Sequence, residues 1–386
     1  VSPTVLLTLG RLPKGLDIAR SFYRAGWRVL IAEPFGWHLC GVSRCVAKSV
    51  AVPAPNDDRE AYLAALLDVI AREGVSLVVP ISEETMHVSA LAGQLSLFTS
   101  AQADVLALHD KVRFASWLAE QGLAAPRTAL IGCDEAQGLA NSGPTIVKDR
   151  WGASGSNVAF YDQGASLPQR AGALVQERLE GDEVSTFSIL HEGKVSVTVV
   201  YRAVIRDGTV STVFERIERP QVEAYVASIA QASEHTGFLS LDVMLTDLHS
   251  CLDPSSQLQK DPVAFECNPR ANSGVHFLET ADIARAIIEP DFKPRFSKHT
   301  RMQQAYPTLT LLWGSIGNWR RYRQIAKALF TSRDVTWSLG DPLPFAIMTP
   351  VTWPLLRQAM FEGRTLGEAA IHDIGWFGPE SQSDLA

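Results

Sequence analysis

The chain has 386 residues, 46% of them hydrophobic and 20% charged, with a formal net charge of −7. That length exceeds what one core organises, so two or three domains of ordinary globular composition are expected. The acidic balance argues against a nucleic-acid binder, and no apolar run approaches the ~18 residues of a membrane helix. The N-terminus lacks a basic stretch ahead of its short apolar run, so no signal peptide is expected. Five cysteines, at 40, 45, 133, 251 and 267, lack Cys-x-x-Cys spacing. They fit a reducing cytoplasm and make no zinc site.

The first hundred or so residues alternate strand, helix and strand. TVLLTLG is an apolar strand, LDIARSFYRAGW an amphipathic helix ending at Gly26, and RVLIAEP a second strand; AYLAALLDVIAREG and SLVVPIS repeat the pattern. This predicts a parallel α/β unit. Gly10 and Gly15 follow the first strand and Glu33 ends the second, but the third glycine of the dinucleotide fingerprint is missing. Glu83 and Glu84 follow the SLVVPIS strand, where such sheets form a substrate site. They equally suit the N-terminal charge of a following helix.

TIVKDRWGASGSNV, 145 to 158, is a strand carrying Lys148, a loop rich in Gly and Ser, and a second strand. Gly152 and Gly155, with Ser154 and Ser156, let backbone N–H groups approach phosphate oxygens. The Lys precedes the glycines, so this is not a Walker A loop. Ser at 156 breaks the Gly-x-Ser-x-Gly elbow. In LVQERLEGDEVSTFSI, 174 to 189, a strand with Gln176 and Glu177 enters a connector with Gly181, and Glu183 opens the next strand. On its residues alone this is a charged hairpin.

FLSLDVMLTD, 238 to 247, and PVAFECNPRANSG, 262 to 274, carry the strongest signal. Alternation puts Val263, Phe265 and Cys267 on one face and Ala264, Glu266 and Asn268 on the other. Upstream, Leu239, Leu241, Val243 and Leu245 share a face opposite Ser240, Asp242 and Met244. If the strands pair as an antiparallel hairpin, Asp242 lies across from Glu266, and two carboxylates and an amide converge as hard ligands for Mg²⁺ or Mn²⁺. Arg270 follows as a grip for phosphate or an anionic substrate. Cys267 falls on the apolar face as a buried thiol.

FLSLDVM followed by FECNPR resembles the metal-binding end of the ATP-grasp superfamily, and the other segments occur in that family's order. The resemblance implies an α/β ATP-grasp fold over residues 105–289, behind a half-Rossmann pre-ATP-grasp domain at 1–104. It implies ATP as cofactor, with Lys111, Lys148, Gly152, Ser154, Gly155 and Ser156 on its phosphates. Glu177, Arg178 and Leu179 become the adenine hinge and Glu183 the ribose ligand, while Asp242, Glu266 and Asn268 hold the metal. Arg270, Lys148 and Arg202 take catalytic roles, Arg202 as a grip on a substrate carboxylate or as a structural residue. Glu83, Ser273 and His276 line the acceptor side.

The activity so implied is a cytoplasmic carboxylate–amine ligase that forms an acylphosphate from a small-molecule acid, joins it to an amine, and releases ADP and phosphate. No nucleic-acid or membrane partner is expected. Phosphorylation of an enol or vinylogous acid before amine attack, as in natural-product ligases, shares every motif, and a nucleotide sensor with a degenerate site is a third reading. Residues 290–386 form a C-terminal appended region with five of the nine tryptophans, expected to fold against the body or against a second subunit of a homodimer. Its basic stretch NWRRYRQIAKALFTSR suits a solvated helix edge.

Overall fold

The computed structural model describes residues 2–152, 157–208, 210–246, 260–363 and 366–378. Four parallel strands, β1 (Thr4–Leu7), β2 (Arg28–Glu33), β3 (Lys48–Ala51) and β4 (Leu77–Val79), form the N-terminal sheet in the order β3-β2-β1-β4. β1 is buried along its length, as its unbroken apolar run requires of a parallel strand. The helix Pro13–Arg24 starts on Pro at its first turn, where a missing N–H costs nothing. Asp58 caps the helix Arg59–Glu73 by accepting from the Ala61 N–H, and Gly74 closes it in the left-handed region.

A small antiparallel sheet follows, built from β5 (Thr128–Leu130), β6 (Thr145–Asp149), β7 (Ala159–Tyr161) and β8 (Ala173–Glu177) in the order β5-β8-β6-β7. The helix Asp134–Ser142 packs on it through Ala136 and Leu139, against Val147 and Val175. The large sheet comprises β9 (Asp182–His191), β10 (Lys194–Asp207), β11 (Val210–Ile217), β12 (Gly237–Thr246), β13 (Asp261–Asn268), β14 (Arg301–Gln303) and β15 (Arg333–Asp334), ordered β13-β12-β9-β10-β11-β14-β15. The helix Pro220–Ser233 covers one face, with Val222, Val226 and Ile229 against Leu239, Leu241 and Val243.

The other face of the large sheet shares one core with the N-terminal sheet, where Leu7, Phe22 and Ile31 belong with Phe187, Val199 and Phe214. Residues past 290 join the same assembly, since β14 pairs antiparallel with β11 and β15 parallel with β14. The basic stretch forms the helix Trp319–Thr331, which packs through Ile325 and Ala328 against Ile205 and Val213. No helix among the described residues is long and apolar enough to cross a membrane.

Gly181 makes the turn from β8 into β9 at a φ of +153°, and a Cβ there would lie 2.0 Å from the Leu245 carbonyl oxygen. Backbone meets backbone at this point, so only glycine fits. Gly181→Ala is expected to cost at least about 2 kcal/mol of stability through strain and separation of β9 from β12. Chemical denaturation checks this, and a wild-type midpoint would refute the close approach.

Candidate active site

The predicted hairpin forms: β12 and β13 pair antiparallel with Ser240 opposite Asn268, Leu241 opposite Cys267 and Asp242 opposite Glu266. The register then slips, so that Val243 faces Ala264 and Phe265 is an extra residue on β13. Simple alternation, which placed Ala264 beside Glu266, fails at this bulge. Ala264 instead joins Cys267, Leu241 and Val243 in the core, while Val263 lies outside that cluster. A bulge reverses the faces beyond it. It also frees the Phe265 carbonyl, which accepts from Lys148 Nζ at 3.2 Å, and the Lys148 ammonium lies 5.3 Å from the Phe265 ring centre.

Two lysines converge on Glu266, with Lys111 Nζ 3.9 Å and Lys148 Nζ 4.0 Å from its Oε2. Asn268 Nδ2 donates to Glu266 Oε1 at 3.4 Å, and Asn268 Oδ1 accepts from Arg270 at 3.3 Å. Ser185, the β9 residue opposite Asp242, donates its hydroxyl to Asp242 Oδ1 at 2.7 Å. Burial, and then the neighbouring Glu266 charge, push the Asp242 carboxyl up to about 6. Burial also works to raise Glu266, but the cations of Lys111 and Lys148 outweigh it and hold that group below its ordinary value. Burial lowers the Lys148 ammonium to about 8, with Lys111 adding to the effect.

Lys111 opens the helix Lys111–Glu120, whose cap is Asp110, accepting from the Val112 and Arg113 N–H groups. Asp110 also holds Arg150 at 2.9 and 3.0 Å from Nε, and Lys111 Nζ donates to the Gly152 carbonyl at 2.7 Å. Both contacts tie the helix to the start of the Gly- and Ser-rich loop. A cleft of about 630 Å³ opens there, lined by Lys111, Lys148, Gly152 and Glu266 together with Trp151 and Phe377. Ser154, Gly155 and Ser156 lie outside the described residues.

Glu177, Arg178 and Leu179 stand beyond that lining, at the other end of β8. Lys148 is opposite Leu174, three residues before Glu177, or about 10 Å along the strand. Glu177 pairs with Arg127 at 3.2 Å, and Glu183 with Arg206 at 2.8 Å. Arg202 is also outside the cleft lining; it is half-exposed and bound to Glu215 at 3.0 Å. Ser273 begins the short 3₁₀ turn Ser273–Phe277. In that turn His276 Nδ1 lies 2.7 Å from Asp17 Oδ2, in a separate small polar pocket.

Glu83 is brought to the site: almost fully buried, it forms an ion pair with Arg270. Its neighbour Glu84 accepts from the Ile81 and Ser82 N–H groups and from Thr8, which makes it an internal brace. Lys14 escaped notice in the sequence, where it resembles any lysine at a helix start. It is buried, donates to Ser82 Oγ at 2.9 Å and to the Ala271 carbonyl at 2.6 Å, and is lowered by burial to about 7. His109 was missed too. Burial lowers it to about 4, and both its ring nitrogens are enclosed without a partner.

Among the described residues, no three His, Cys, Asp or Glu side chains converge as a metal cluster. The set at hand is two carboxylates and an amide, all hard oxygen donors, and it fits a magnesium-type cation. Neither lysine hydrogen-bonds Glu266 directly, so the carboxylate pair retains acceptor capacity for one.

Residues 108–274 match the ATP-grasp domain family. No curated protein sequence matches the chain. Among solved structures it resembles an L-amino acid ligase from Bacillus licheniformis (TM-score 0.57, 14% identity, 76% of this chain and 75% of that one). It also resembles N5-carboxyaminoimidazole synthetase from Staphylococcus aureus (0.58, 14%, 82% and 86%) and biotin carboxylase from Campylobacter jejuni (0.60, 12%, 77% and 74%). At such identities the likeness is one of fold. The chain therefore carries an ATP-grasp domain over residues 108–274, set behind an N-terminal parallel α/β sheet.

Proposed function

We propose that the chain is an ATP-dependent ligase that activates a substrate carboxylate as an acylphosphate and joins it to an amine, releasing ADP and phosphate. The observation that carries this reading is the convergence of Lys111 and Lys148 on Glu266 at the cleft, with Asp242 directly opposite Glu266 in the ladder. Structures of like fold include a ligase of amino acids and a synthetase complexed with ADP. Lys111 and Lys148 bind the phosphates, the backbone of Glu177 to Leu179 reads the adenine, and Glu183 turns from Arg206 to the ribose. Asp242, Glu266 and Asn268 would hold Mg²⁺, which would supply charge neutralisation for the terminal phosphates.

Phosphoryl transfer is chiefly positioning and charge neutralisation, so the enzyme needs no nucleophile of its own. Burial pushes the Cys40 and Cys267 thiols well up, which keeps them protonated and inert. The substrate carboxylate attacks the γ-phosphorus and ADP leaves; the amine then attacks the acyl carbon and phosphate leaves. Arg270 grips the acylphosphate. Glu83, released from part of its pairing with Arg270, faces the amine beside the unpartnered His109.

Glu266→Ala is expected to remain folded and to lose ~10²–10³-fold in turnover. Wild-type turnover by this variant at low Mg²⁺ would overturn the cation assignment.

The Asp242 carboxyl titrates near 6, against 3.8 for the free group. Between those values the folded protein keeps a proton that the unfolded chain has released. The resulting stability is full below the lower value and is lost as pH rises through the upper one. A divalent cation competes with that proton. Mg²⁺ with ADP should therefore raise the thermal midpoint more at about pH 7.5 than at about pH 5.5, and Asp242→Asn should level the two. A larger gain at the acid end would contradict the shared site.

With acid and amine supplied, phosphorus NMR of the spent nucleotide should show ADP and phosphate. AMP as the main product would place the cations at the α-phosphate and refute the mechanism.

A further inference from the structure

The C-terminal region sends a segment back across the N-terminal sheet to the mouth of the nucleotide cleft. Its anchor is Asp373, which accepts from both terminal nitrogens of Arg11 at 2.7 and 2.9 Å. Arg11 is buried and fixed from its other side by Glu33. Asn56 adds two bonds, from Nδ2 to the His372 carbonyl at 2.6 Å and from its N–H to the Asp373 carbonyl at 3.1 Å. The His87 ring lies 3.3 Å from the Gly375 carbonyl. Trp376 then sinks to 5% exposure beside Met86 and Val105, its ring 5.2 Å from that of His87.

These anchors deliver the next two residues to the cleft. Phe377 is 46% exposed and lines it, with its ring 3.9 Å from where a Gly152 Cβ would sit. Gly378 passes so close to Trp151 that a Cβ would lie 2.8 Å from the indole. Gly152 is the residue whose carbonyl holds Lys111. The segment thus runs from the Arg11–Asp373 anchor through the buried Trp376 to Phe377, which stands beside Gly152 at the cleft, and the Gly152 carbonyl accepts from Lys111.

We infer that Ile371–Gly378 is a built part of the ATP site, with Phe377 as a positioning residue that walls the cleft and keeps Gly152 and Lys111 aligned on the nucleotide. This inference rests on the ATP reading of the cleft. A half-exposed ring in a cleft lined by charged groups gains burial only when the cleft is filled, so its removal should cost nucleotide affinity more than apo stability.

The test is calorimetric titration of the full chain with Mg²⁺ and ADP. Phe377→Ala should weaken binding about tenfold, with an unchanged apo thermal midpoint, and Phe377→Leu should restore most of the affinity. Asp373→Asn, which loosens the anchor and leaves the ring intact, should weaken binding in the same direction. ADP bound by Phe377→Ala as tightly as by the wild type would overturn the inference. Failure of the wild type itself to bind ADP would instead remove the ATP reading on which it stands.

Discussion

Asp242 and Glu266 face one another across a single ladder step, two carboxylates partly buried in the sheet. Like charges directly opposite destabilise a sheet, and burial aggravates the repulsion. The architecture around them answers that conflict. Lys111 comes from the start of a helix and Lys148 from the small sheet, so cations from two separate elements are drawn to the same carboxylate. Each lysine spends its hydrogen bond on a backbone carbonyl, of Gly152 and Phe265 respectively. The pair is moderated but not neutralised, which is the condition that favours taking up a hard cation.

The base of the site is held by ties between the N-terminal sheet and the large sheet. Beyond the shared apolar core, Arg270 meets Glu83, Lys14 reaches the Ala271 carbonyl, and His276 meets Asp17. Breaking a buried ion pair by removing one member costs about 3–5 kcal/mol, so the loop after β13 is fixed from both sides. The small sheet has its own cluster, with Val147 and Val175 at its centre. It reaches the base through polar contacts such as Arg150 to Asp110 and Lys148 to the Phe265 carbonyl. A stiff floor that carries the carboxylates and a separately packed cover that carries a lysine suit a site that must admit a nucleotide and then hold it.

Much of this was legible in the sequence, for definite reasons. Alternating faces gave the β12–β13 hairpin and the meeting of Asp242 with Glu266, because side-chain period and hydrophobic pattern agree there. The strand–helix alternation gave the parallel N-terminal sheet. The bulge at Phe265 was not legible. PVAFECN reads as even alternation, and only pairing with β12 reveals the extra residue. Arg202 looked like a substrate grip because an arginine inside an apolar strand invites a function. Its partner Glu215 lies directly opposite on the adjacent strand, a cross-strand pairing that the local pattern of β10 does not encode.

The ties of the C-terminal region were hidden for a different reason: they join residues at opposite ends of the chain. Glu33 ends β2 where a dinucleotide's ribose ligand would stand in a Rossmann fold. Here it accepts from the Gly10 and Arg11 N–H groups and from Arg11 Nε. A side chain at Gly10 would strike His38 at 2.3 Å, so the turn is filled from within. The position that sequence spacing left as a failed fingerprint is thus occupied by Arg11. Fixed by Glu33, that guanidinium presents its far nitrogens to Asp373. The N–H groups of the first strand-to-helix turn are thus satisfied within the N-terminal sheet by Glu33, and the Arg11 side chain carries that turn to the last described segment.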